Sequence, residues 1–146
     1  CYMSTFTEEV ARKVGQWVSY ADEDLKLATY ALNMDEECPY KLVAYHAQQC
    51  AEKYLKSFLV MRGVDFPYTH NIARLLELCN DAGAGTEELQ DAEELTPYAI
   101  TTRYPGEDEE VSLDEASLAI DTAVHVRKVI RRSLRAFGLD DLPGDE

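Results

Sequence analysis

His46, Gln49, Glu52, Lys53, Lys56, Arg62 and His70 all fall within one stretch, residues 44–76. Imidazole, carboxylate, ammonium and guanidinium groups are the parts needed for proton transfer and for holding phosphate charge. On a helix, Gln49, Glu52 and Lys56 share a face, as do His46, Gln49 and Lys53. One reading is a polar stripe that receives a phosphate or a base, with Lys53 and Lys56 supplying charge and Gln49 a hydrogen bond. The same spacing also fits fold support, with Glu52 paired to Lys56 at i,i+4 and Gln49 tying helices together.

His70 stands at a predicted helix start. There it could hold an anion against free backbone N–H groups or carry a proton near neutral pH; it could also simply bond the backbone. Arg103 and Tyr104 close a later helix. The Arg103 fork suits phosphate or carboxylate, or an internal partner such as Asp24. Arg127, Lys128, Arg131, Arg132 and Arg135 form the one basic run, with Arg127, Arg131 and Arg135 on one face. That run suits RNA or an acidic partner, or the negative end of a helix dipole. His125 sits in an apolar stretch and is expected in the core or an interface. No Gly-rich phosphate loop, Ser-His-Asp set or metal-binding cluster is apparent, so no cofactor, metal ligand or catalytic residue is assigned.

The chain has 146 residues, and 46% of them are hydrophobic. That predicts a single globular domain with a real core, spanning 1–146. Acidic residues number 28 against 14 basic ones, a net charge of −14. Such a surface argues against non-specific DNA binding and leaves room only for a local basic patch. The four cysteines show no C-x-x-C spacing. Cys50 lies in an apolar helical run, which points to a buried reduced thiol and a cytoplasmic location. No apolar run is long enough for a membrane span, and residues 1–10 lack a signal-peptide pattern.

These residues must be positioned by helices, because no run alternates apolar and polar residues as a strand would. Thr7 is expected to cap a first helix ending near Asn33, with a stripe running from Val10 through Val14, Trp17, Val18, Ala21, Leu25 and Ala28 to Leu32. A second helix is predicted over 40–62. Its broad apolar face makes it the central helix, and Gly63 stops it. A third spans 71–81, capped by Thr69 or Asn71. A fourth starts near Thr86 with Leu89, Ala92, Leu95, Ala99 and Ile100 inward, and Pro97 predicts a kink near Thr96. Ser112 and Glu115 form a capping box for a fifth, reaching Phe137 with Leu118, Val126, Ile130 and Leu134 inside. The core is expected over 8–137, with a frayed tail over 138–146. The fold class is all-α, an up-and-down bundle of four or five helices.

Tyr45-His46-Ala47-Gln48-Gln49, then Ala51-Glu52-Lys53 and Leu55-Lys56, resembles the signature of HEPN domains. So do Thr69-His70-Asn71, Tyr98 followed by Arg103-Tyr104-Pro105, and the Asp24-Leu25 pair of the first helix. The resemblance covers about residues 15–132. It implies a helical bundle that commonly forms homodimers. It also implies a gene encoded beside a small nucleotidyltransferase, the two often acting as a toxin–antitoxin module. Some such domains are metal-independent ribonucleases, and others are described as nucleotide-binding. The candidate nucleotide-binding set is His46, Gln49, Lys53, Lys56, His70, Arg103 and Tyr104. The ribonuclease branch carries Arg, four to six residues, then His. Here Arg62 and His70 are too far apart for that spacing, with Gly63 and Pro67 between them, which speaks against RNA cleavage.

Overall fold

The computed structural model describes residues 6–34, 36–100 and 110–144. Among them every regular element is helical: α1 (Glu8–Leu32), α2 (Tyr40–Met61), α3 (Ile72–Asp81), a 3₁₀ segment (Glu87–Ala99) and α4 (Leu113–Ala136). The all-α bundle implied by the hydrophobic periodicity is the fold observed. No helix among the described residues is long and apolar enough to cross a membrane.

The helix starts follow their side chains. Thr7 Oγ1 accepts the Val10 N–H at 3.1 Å. Ser112 Oγ accepts the Glu115 N–H while Glu115 accepts the Ser112 N–H, so each satisfies a donor the helix cannot. Asn71 caps α3 by accepting the Arg74 N–H, and Thr69 accepts the Asn71 N–H. At the far end of α2, Gly63 takes φ +69°, a left-handed conformation that lets the Val64 N–H reach back to the Leu59 carbonyl.

α2 is the central element and contacts every other one. Tyr54, Leu55, Phe58 and Leu59 are fully buried along it, and each large side chain so buried contributes roughly 1.5–3 kcal/mol. α1 lies antiparallel to α2, since Ala31 meets Cys38 while Asp24 meets His46 and Lys53. The loop after Gly63 then carries the chain back along α2, bringing His70 to Glu52. α3 follows α2 in the same sense, with Cys79 on the Leu55 carbonyl and Ala82 on Arg62.

Four expectations are corrected. The stretch after Thr86 is a 3₁₀ segment rather than an α-helix, and it bends at Leu89 (φ −104°, ψ 16°) rather than at Thr96. Its buried residues Leu89, Ala92 and Leu95 recur every third position, which aligns on a three-residue turn. Thr96 instead accepts the Ile72 N–H at the start of α3. Ile100 is exposed because the backbone leaves the helix there in an extended conformation. Leu118 is exposed too, since the buried face of α4 passes through Ala116, Ala119, Ile120 and Ala123. The tail beyond Gly138 is not frayed through Gly144: Leu139 and Leu142 are only 7% and 4% exposed and belong to the core. Leu142→Ala is therefore expected to cost about 2–3 kcal/mol. Urea denaturation checks this, and a loss below about 0.5 kcal/mol would return the tail to the surface class.

Cys50 and Cys79 are free and buried. Burial pushes both thiols up, Cys79 from an ordinary 9.0 to about 12. Neither should react with a disulfide reagent at pH 8 in the folded protein; prompt labelling of either would contradict the burial. Because the folded state holds the thiol proton more tightly than the unfolded chain, this stability is complete below about pH 9 and is lost as pH rises toward 12.

Candidate functional site

α2 presents its polar residues toward α1 and the returning loop, where they form two networks. The first centres on Glu52. Its Oε1 accepts Gln48 Nε2 at 2.8 Å and faces His70 Nδ1 at 2.7 Å, and its Oε2 accepts Lys56 Nζ at 2.9 Å. Gln49 donates to Gln48 Oε1 at 2.9 Å and extends the chain outward. Glu52 and Lys56 are buried, whereas the His70 side chain is 45% exposed. The Lys56 ammonium also lies 5.9, 5.7 and 5.9 Å from the ring centres of Trp17, Phe66 and Tyr68. Three ring faces and one carboxylate thus replace the water that this cation loses.

The second network centres on Asp24 of α1. Its Oδ1 faces His46 Nδ1 at 2.8 Å, and its Oδ2 accepts the Lys53 ammonium. The Tyr45 ring meets His46 edge-on at 5.1 Å. Both histidines therefore point Nδ1 at a carboxylate. A carboxylate only accepts, so Nδ1 is the donor in each pair and Nε2 is left for a further partner. Two such oriented imidazoles can accept a hydrogen bond or relay a proton. The two ammonium groups, in contrast, are each matched by a carboxylate.

Of the residues singled out from sequence, His46, Gln49, Lys53, Lys56 and His70 join these two networks. The i,i+4 pairing of Glu52 and Lys56 is present. Arg103 and Tyr104 lie outside the described residues, as does any Arg103–Asp24 contact. Arg62 is turned away from His70: its Nε donates to the Ala82 carbonyl at 3.0 Å, and its guanidinium lies 4.2 Å from the Phe137 ring centre. Glu52, which holds His70, is nearly three turns away along α2. His125 is not in the core: its side chain is 46% exposed, with Nε2 2.9 Å from Glu88. The aromatic wall of Trp17, Phe66 and Tyr68 is not legible in the sequence, because its members come from α1 and the loop.

A third network ties the basic run to α1. Asp22 Oδ1 accepts Arg127 Nε at 2.9 Å and the Tyr54 hydroxyl, while Arg131 donates to the Tyr54 oxygen at 3.1 Å and approaches Asp22 Oδ2 at 3.6 Å. Two members of the run are thus spent inside the bundle. Among the described residues no group of His, Cys, Asp and Glu is placed to hold a metal. Surface recesses of about 260, 220 and 150 Å³ occur beside Trp17, between α3 and the 3₁₀ segment, and between that segment and α4.

A family model for the HEPN domain matches residues 14–133. Among solved structures, an archaeal HEPN homologue, ST0689, aligns at 27% identity with a TM-score of 0.66, covering 83% of this chain and 97% of its own. TT1696 from Thermus thermophilus aligns at 27% identity with a TM-score of 0.67, covering 84% and 98%. No curated protein matches the chain. The family match takes in every residue of the Glu52 and Asp24 networks, and the chain belongs to the HEPN domain family.

Proposed function

We propose that this chain is a HEPN-domain interaction protein. It forms a homodimer, partners a nucleotidyltransferase in a cytoplasmic toxin–antitoxin-like module, and takes a nucleotide at the polar stripe of α2. The observation that carries the reading is an apolar row on α1. Tyr20, Leu27 and Tyr30 are 53–68% exposed, and their steps of seven and three place them on one side of the helix, while Met34, 52% exposed, follows just past its C-terminal end. An exposed row of this kind marks a contact surface. It borders the Asp24 network, since Asp24 and Leu27 are i,i+3 neighbours.

Recognition of a nucleotide there runs through Gln49 and the Nε2 atoms of His46 and His70, because Lys53 and Lys56 are already matched by carboxylates. Arg103 and Tyr104 complete the candidate set from the sequence.

Leu27→Asp is expected to convert a dimer to a monomer by light scattering; an unchanged mass counts against this face. Calorimetry with ATP and GTP tests the ligand. Gln49→Ala is expected to weaken binding about tenfold, and absence of heat from the unaltered protein at millimolar nucleotide removes the nucleotide claim. Co-purification with a nucleotidyltransferase tests the partner, and a gene neighbourhood without one removes it.

A further inference from the structure

The tail from Leu139 to Gly144 runs over the Asp22–Arg127–Arg131 network. Leu139 and Leu142 anchor it in the core, and Pro143 lies against Gly15, 3.7 Å from where a Cβ on that glycine would stand. Gly144 then sits directly on the charged groups. A Cβ added to it would fall 2.5 Å from Asp22 Oδ2, 3.2 Å from Arg127 Nη2 and 3.6 Å from Arg131 Nη1. Its φ of +84° is a conformation that side chains disfavour. Only glycine fits at this point of closest approach.

The contact that closes the strap is weak. Arg127 Nη2 donates to the Gly144 carbonyl at 3.5 Å, against 2.7–2.9 Å for a typical charge-assisted bond. The inner Nε of Arg127 is held by Asp22 at 2.9 Å, so the guanidinium is already oriented with its outer edge under the strap. A neutral carbonyl at that distance is a poor partner for a guanidinium fork that matches an oxyanion.

We propose that Arg127, oriented by Asp22 and flanked by Arg131 and the Tyr54 hydroxyl, is a seat for a phosphate group, and that the strap Leu139–Gly144 keeps it shut. A phosphate oxygen takes the place of the Gly144 carbonyl when the end of the strap lifts. This seat is separate from the polar stripe of α2 and does not depend on the nucleotide reading given above.

Gly144→Val tests it in the full-length chain. The new side chain cannot sit on Asp22, so the end of the strap lifts while both leucine anchors remain. Inorganic phosphate or pyrophosphate is expected to bind about tenfold more tightly than to the unaltered protein. Adding Arg127→Gln to Gly144→Val is expected to abolish that gain. Lys53→Ala added instead leaves the gain intact, which separates this seat from the α2 stripe. A preference for pyrophosphate over phosphate points to a polyphosphate ligand; equal binding points to a single phosphate group. Unchanged affinity in Gly144→Val, or a gain that survives Arg127→Gln, overturns the proposal.

Discussion

Glu52→Ala is expected to destabilise the protein by about 3–5 kcal/mol, the largest effect of any single polar substitution in α2. The Glu52 and Lys56 side chains are 4% and 7% exposed, and Glu52 binds Lys56, Gln48 and His70 together. Removing the carboxylate strands the ammonium among three aromatic rings. Those faces attract a cation but do not accept a full hydrogen bond from it. The loss reflects a stranded charge more than the worth of the pair, and this has a consequence. Glu52→Leu with Lys56→Met should recover most of the stability, because a thioether packs well against Trp17, Phe66 and Tyr68. Urea midpoints for the two variants decide the matter. A single substitution costing less than about 1 kcal/mol would mean that water already reaches Lys56.

Asp22→Ala follows in size, at about 3 kcal/mol. Asp22 joins α1 to α2 through Tyr54 and to α4 through Arg127 and Arg131, and Arg131 is only 3% exposed. Asp22→Asn keeps an acceptor and should cost less. The same contact has a pH signature. Burial pushes the Tyr54 phenol well above its ordinary value of 10.0, and the hydrogen bond and charge of Asp22 push it further. The folded state therefore favours the neutral phenol. Its contribution is complete below about pH 10 and is lost as pH climbs above that value. Ultraviolet titration should show Tyr54 silent until the protein unfolds at alkaline pH. If Tyr54 ionises with the exposed tyrosines in folded Asp22→Ala as well as in the parent, the burial argument fails.

Much of the bundle was legible from local chemistry. Thr7, Asn71 and Ser112 cap helices because a short polar side chain beside an unpaired backbone N–H has the same use in any chain. Gly63 ends α2 for an equally local reason. The fourth helix is legible but its type is not: apolar residues every third position fit both helix types, and only the packing against α2 and α3 selects between them. Leu118 and His125 show the same limit. Apolar identity does not say which side of α4 faces the core.

The sequence by itself determined an all-helical chain with α2 at its centre and His46, Gln49, Lys53 and Lys56 on one side of that helix. Helical spacing alone sets those neighbours. What only the tertiary structure decided is what each charge is for. Asp24 comes from α1 to neutralise Lys53, His70 returns on a loop to Glu52, and Trp17, Phe66 and Tyr68 close around Lys56. A stripe that looks cationic along one helix becomes charge-balanced once its neighbours arrive. The basic run of α4 likewise turns inward onto Asp22, beneath a tail that a local reading treats as loose. The reason is that electrostatic partners are set by distance in space: His70 lies 18 residues from Glu52 along the chain, and Arg127 lies 105 from Asp22.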